Sequence, residues 1–104
     1  MHRGEAWWAD LPTPAGRRPV LIVTRDAAIA PRNAVTVAPV TRTIWHIPVE
    51  VRLDGRDGMP TPCAVNCDNL LTVPKALLQA RICTLTAVKM LAVEQAIKFA
   101  LDLK

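Results

Sequence analysis

Two short stretches of this 104-residue chain carry side chains suited to phosphate chemistry at the ends of apolar runs. They are Arg17-Arg18 immediately before Pro19, and Thr41 two positions after Pro39. A guanidinium offers a planar fork that fits two oxygens of one phosphate. A hydroxyl beside it adds another donor, and donors fixed in advance around a developing charge contribute several kcal/mol each in a dry site. Pro19 biases Arg18 toward an extended backbone; lacking an N–H, it belongs at a strand start or an edge. Such a place holds a side chain rigidly at a strand mouth. The pair lacks a base, because guanidinium groups stay protonated near neutral pH. His46, sharing an alternating stretch with Glu50, has the right type for that task. Each residue taken singly also has a plainer reading: Arg18 as a solvated strand-end charge, Thr41 as a β-former, His46 as an exposed strand histidine. His2 lies too close to a fraying terminus to carry chemistry.

The remaining chemistry-bearing types narrow the classes. Cys63, Cys67 and Cys83 are an odd set, and their spacing with only His2 and His46 elsewhere matches no zinc site. They read as buried apolar thiols. The formal net charge is +4, and residues 1–52 hold seven arginines against four acids. That balance suits a polyanionic partner, although a GC-rich genome would also favour arginine. Hydrophobic residues make up 51% of the chain, enough to offset ordering entropy and to exclude a disordered polymer. No apolar run nears the roughly 18 residues of a membrane span, and the N-terminus shows no signal-peptide pattern. One cytoplasmic domain, 1–104, is the expectation.

The elements that must position these residues are mostly strands. Residues 3–10 read as a first strand, followed by a turn with two prolines from Leu11 to Gly16. Val20 to Val23 is a continuous apolar run, expected as a central strand covered on both sides. Residues 26–33 read as a loop and Ala34–Thr41 as a strand. His46–Leu53 alternates, with Ile47, Val49, Val51 and Leu53 on one face. Asp54 to Gly58 is a turn, and shorter strands are expected near 61–67, 70–73 and 79–84, with Pro74 marking a loop. Thr86 is the expected N-cap of a single closing helix to Leu101. Met90, Val93, Ile97 and Ala100/Leu101 would form its buried stripe, with Lys89, Glu94 and Lys98 facing water. The fold class is mainly β: a small, strongly bent antiparallel barrel or half-barrel closed by a C-terminal α-helix.

Three motifs in order give the arrangement a family likeness. Arg3-Gly4-Glu5-x-Trp7-Trp8-x-Asp10-Leu11, Gly16-Arg17-Arg18-Pro19-Val20-Leu21-Ile22-Val23 and Val37-Ala38-Pro39-Val40-Thr41 closely resemble the MazF/PemK toxins. Those open with RGEIWWVDL-like residues, continue with GRRPVLVV and follow with a VxVxPxT strand. Ala64-Val65-Asn66-x-Asp68-Asn69 through Thr72 to Lys75 resembles their VVNxDxxxTxxK segment, and the closing helix is similar. The likeness spans nearly the whole chain. It implies an SH3-like barrel of the CcdB/PemK type that forms a homodimer and cleaves single-stranded RNA sequence-specifically. It further implies cleavage without metal or cofactor, through attack of the ribose 2′-hydroxyl on its own phosphate. A cognate antitoxin with a disordered acidic tail would cover the RNA groove. The catalytic arginine falls on Arg18 and the catalytic threonine on Thr41.

Other positions are weighed around that pair. Arg17, Arg25 and Arg42 suit backbone phosphates or plain solvated charge. Trp7 and Trp8 point to opposite faces, one toward the core and the other toward an interface or a base. Trp45 suits base stacking or surface anchoring. Asn66 and Asn69, with Asp68, could read base edges or shape turns. The first loop, Pro12-Thr13-Pro14-Ala15-Gly16, departs from the family: it is shorter than the usual GSEQ-like acidic stretch and has no Glu or Gln. The RNA sequence cut and the antitoxin contacts therefore do not transfer. Two other functions compete. A CcdB-like gyrase inhibitor would carry a Trp-Gly-Ile-like ending, whereas this chain ends Asp102-Leu103-Lys104. A non-catalytic SH3-like binding module would need an aromatic groove, whereas the chain has no Tyr and one Phe.

Overall fold

The structure is a computed structural model that describes all 104 residues. Strand β1 (Glu5–Asp10) turns back into β2 (Arg17–Ile22), and a single helical turn α1 (Asp26–Ile29) leads to the long β3 (Ala34–Thr41). Then come β4 (Glu50–Leu53), β5 (Cys63–Asn66), β6 (Leu71–Pro74), β7 (Leu78–Thr84) and helix α2 (Ala87–Ala100). All pairings are antiparallel, in the order β4-β5-β3-β2-β1-β7. On one side of β3, β6 pairs with its first half and β5 with its last two residues. The result is the expected bent sheet with a C-terminal helix, but β4 and β7 stay unpaired with each other and the barrel remains open.

The alternation of side chains across β2 decides what each face buries. Leu21 joins Ala6, Ala38, Val40 and the β4–β5 residues under α2, while Val20 and Ile22 join Ala9, Val35, Val37 and Val73 on the other face. All three β2 residues are fully buried, as the apolar run predicted. Helix α2 packs through Val93 and Ala96, with Met90, Ile97 and Ala100 partly covered; Leu101 is exposed. Thr86 caps its start by accepting the Lys89 N–H at 3.2 Å.

Several expectations need correction. The first strand begins at Glu5 because Gly4 turns the chain with φ 91°. The fourth begins at Glu50, since residues 42–49 run irregularly past it, with a left-handed His46 (φ 54°) and an exposed Ile47. The stretch 26–33 contains the helical turn α1. Lys89 and Glu94 are tethers for α2 and do not simply face water. Lys89 Nζ donates to the Arg52 carbonyl at 2.7 Å, and Arg3 donates to both Glu94 (3.1 Å) and the Val23 carbonyl. No helix is long and apolar enough to cross a membrane.

Two local features give tests. Gly58 has φ +96°, and a Cβ there would lie 2.7 Å from Cys83 Cβ, whereas a Cβ on Gly55 would meet nothing within 4 Å. Gly58→Ala is expected to lower stability in urea unfolding by about 2–3 kcal/mol and Gly55→Ala by well under that. Glu5 is a buried carboxylate that accepts the His2 N–H (2.9 Å) and the Trp7 indole N–H (3.0 Å), with Arg81 3.6 Å away. Burial pushes its pKa up, but the Trp7 and His2 hydrogen bonds, the chain's positive N-terminus and Arg81 together bring it below the usual value. Its stabilising contribution is therefore complete above the ordinary carboxylate range and lost as pH falls through the lowered value. Glu5→Gln should flatten the acid side of the stability–pH profile measured by thermal melts.

Candidate active site

The site forms where the β2–β3 ladder stops. Register pairs run Ile22↔Val37, Leu21↔Ala38 and Val20↔Pro39, and no further. Val23 donates to the Thr36 carbonyl, so by alternation Leu21 and Pro19 are the next β2 residues to face β3, and Pro19 has no N–H with which to continue the ladder. Beyond that point the start of β2 pairs only with β1, and the end of β3 pairs only with β5. A cleft of about 550 Å³ opens between the two freed strand ends. Continuing the same register would set Arg18 opposite Thr41, and both line this cleft.

The lining is basic, with Arg17, Arg18 and Arg42 and no carboxylate. Arg18 is half-buried, and its Nε is enclosed with no hydrogen-bond partner. An orphaned donor of that kind is costly. The Thr41 hydroxyl oxygen accepts the Thr43 N–H at 3.1 Å, which fixes the side chain and leaves its hydrogen free to donate. Trp8 also faces the cleft, with the Arg17 guanidinium carbon 4.9 Å from its ring centre. The opposite wall comes from the β4–β5 connection, through Met59, Pro60 and Thr61, and from Cys63.

These features coincide with a known family. The model for "PemK-like, MazF-like toxin of type II toxin-antitoxin system" matches residues 2–101. The chain belongs to the PemK/MazF toxin family. It is 41% identical over 101 residues to a probable endoribonuclease MazF5 of Mycobacterium tuberculosis, covering 96% of this chain and 92% of that one. It is also 41% identical over 86 residues to endoribonuclease MazF3 of the same species, covering 83% and 84%. Among solved structures, Mycobacterium tuberculosis toxin MazF-mt6 superposes with a TM-score of 0.88 at 37% identity, covering 96% and 98% of the two chains. A mycobacterial endoribonuclease in complex with its cognate antitoxin gives 0.91 at 30% identity, covering 100% and 97%.

Against this PemK/MazF frame, the expected site residues divide. Arg17, Arg18, Thr41 and Arg42 converge on the cleft. Arg25 lies apart, exposed at the start of α1. Trp45 is 68% exposed beyond the cleft wall, its backbone N–H donating to Glu50 at 2.9 Å. Asn66 accepts the Asp68 N–H at 2.9 Å and so shapes the turn after β5, while Asn69 is exposed in that turn. His46 and Glu50 share no strand face, because the strand starts at Glu50. The contribution of Thr43, Pro60 and Thr61 went unread in the sequence, since their connections carry no periodicity.

Of the three cysteines only Cys63 lines the cleft. Burial, then Asp57, Cys83 and Asp54, pushes the Cys63 thiol up to about 11, and burial with Asp68 does the same for Cys67. Cys83 is raised chiefly by burial, and its Sγ donates to Met59 Sδ at 3.6 Å. All three are free. With a pKa near 11, only about one thiol in a thousand is ionised at pH 8. Native protein should leave Cys63 and Cys67 unmodified by iodoacetamide at that pH, as read by mass spectrometry, and expose both on denaturation.

Proposed function

We propose that this chain is the toxin of a type II toxin–antitoxin pair, an endoribonuclease that cuts single-stranded RNA at preferred sequences and thereby blocks translation and growth. The observation that carries the reading is Arg18 and Thr41 lining one basic cleft from strand ends that the register would set opposite each other. The named mycobacterial endoribonucleases support the activity, and the relative held by its cognate antitoxin supports a protein partner. The whole span 1–104 acts as one domain, pairs with a second copy and works in the cytoplasm.

In the proposed reaction the ribose 2′-oxygen attacks the adjacent phosphorus while the bond to the 5′-oxygen breaks. The 2′-proton leaves to a base and the departing oxygen gains a proton, giving a 2′,3′-cyclic phosphate and a 5′-hydroxyl. Arg18 and the Thr41 hydroxyl would both donate to the phosphoryl oxygens, where negative charge accumulates. Neither imidazole nor carboxylate lines the cleft, so no side chain there is assigned as the base that takes the 2′-proton. No metal enters the scheme. A gyrase inhibitor or a peptide-binding module would leave the Arg18–Thr41 placement without a use.

Purified protein should fragment single-stranded RNA in EDTA and leave cyclic-phosphate ends. Arg18→Ala and Thr41→Ala are each expected to lower kcat about 100- to 1000-fold while the protein stays folded, as read by circular dichroism. Undiminished cleavage by Arg18→Ala would place the chemistry elsewhere, and loss of wild-type cleavage on chelation would overturn the metal-free route.

A further inference from the structure

The β1–β2 hairpin puts Arg17 to a use distinct from that of Arg18. In register, Arg17 stands opposite Asp10 and Trp8 opposite Pro19. Arg17 forms no ion pair with Asp10 and lies across the Trp8 ring, 4.9 Å from its centre. The contact follows from the pleat: Trp8 and Arg17 are diagonal neighbours on one face, within reach for an aromatic and a long side chain. Arg18 belongs to the other face, with Thr41, so the two adjacent arginines cannot serve the same phosphate from the same side.

Exposure orders the layers. Trp8 is half-buried, Arg17 is exposed, and both border the cleft. The ring underneath restricts the long Arg17 side chain, and its guanidinium is the outward surface. A guanidinium held this way stacks on an unpaired nucleobase. Double-stranded RNA, whose bases are stacked on one another, has no free face to offer it.

We propose that Trp8 is a positioning residue holding Arg17 as a stacking surface for the unpaired base next to the scissile phosphate, so that the pair sets which nucleotide is accepted beside the cut. The proposal rests on the nuclease reading and adds to it a specificity-determining role at one subsite.

The test is steady-state cleavage of oligoribonucleotides that differ only in the nucleotide flanking the wild-type cut on either side. Arg17→Ala, at an exposed position, and Trp8→Leu, which keeps apolar bulk without a π face, should each raise KM about tenfold while kcat moves much less. Both should also flatten the wild-type preference among flanking nucleotides. Trp8→Phe should restore most of the KM and the preference, which a purely structural loss would not show. Thermal melts run alongside, and if Trp8→Leu fails to fold, Arg17→Ala and Trp8→Phe decide the matter. An Arg17→Ala enzyme with wild-type KM and wild-type preference would overturn the inference while leaving the nuclease intact. A wild-type protein that cuts none of the oligonucleotides would instead overturn the nuclease reading, and this inference with it.

Discussion

The architecture depends on where one hydrogen-bond ladder ends. Between β2 and β3 the sheet is paired through Val20↔Pro39, and there Pro19, the next β2 residue facing β3, has no donor with which to continue. Each freed strand end keeps a partner on its outer side, β1 for β2 and β5 for β3, so neither frays while a gap opens between them. The location of the cleft follows from that stop at Pro19. Upstream of the stop, Leu21 and Ala38 are fully buried, which anchors both walls in the core.

Chemistry then follows from which side chains the open ends carry. Three arginines face a space that no carboxylate enters, and the Arg18 Nε is enclosed without a partner. Other charges are paired: Glu5 has two donors and Arg81, and Arg3 has Glu94 and a carbonyl, while Glu50 Oε2 shares the orphaned state of the Arg18 Nε. An unsatisfied enclosed donor destabilises the fold. The Arg18 side chain lines a basic cleft with no carboxylate in its lining. On the opposite wall, Cys63 and Met59 supply a soft, uncharged surface, with the thiol kept protonated chiefly by burial.

Much of this was legible in the chain. The apolar run at Val20–Val23, the bounds of Ala34–Thr41 and the Thr86-capped helix were readable because local pattern and tertiary burial agree there. The pairing of Arg18 with Thr41 was legible only through motif order, since each residue alone is an ordinary strand-end side chain. What misled was alternation without pairing: residues 46–49 alternate well, but they have no partner strand and His46 adopts a left-handed backbone. Asn66 stood open between base reading and turn-making, and its side chain accepts the Asp68 N–H as in an Asx turn. The layering of Trp8 and Arg17 depended on the hairpin register, which a turn with two prolines conceals. Lys89 and Glu94 seemed solvated because helical periodicity sees one helix at a time, whereas their partners, Arg52, Asp57 and Arg3, come from distant segments.

The central claim is that Arg18 and Thr41 act together on a single phosphoryl group across the end of the β2–β3 ladder. Single-turnover cleavage by the two alanine variants and by the double variant measures that coupling directly. Groups holding one transition state as a unit lose most of their effect once either is removed, so the double variant should be only slightly slower than the slower single. A double variant whose loss equals the product of the two single losses would contradict the account, because the two side chains would then be acting independently.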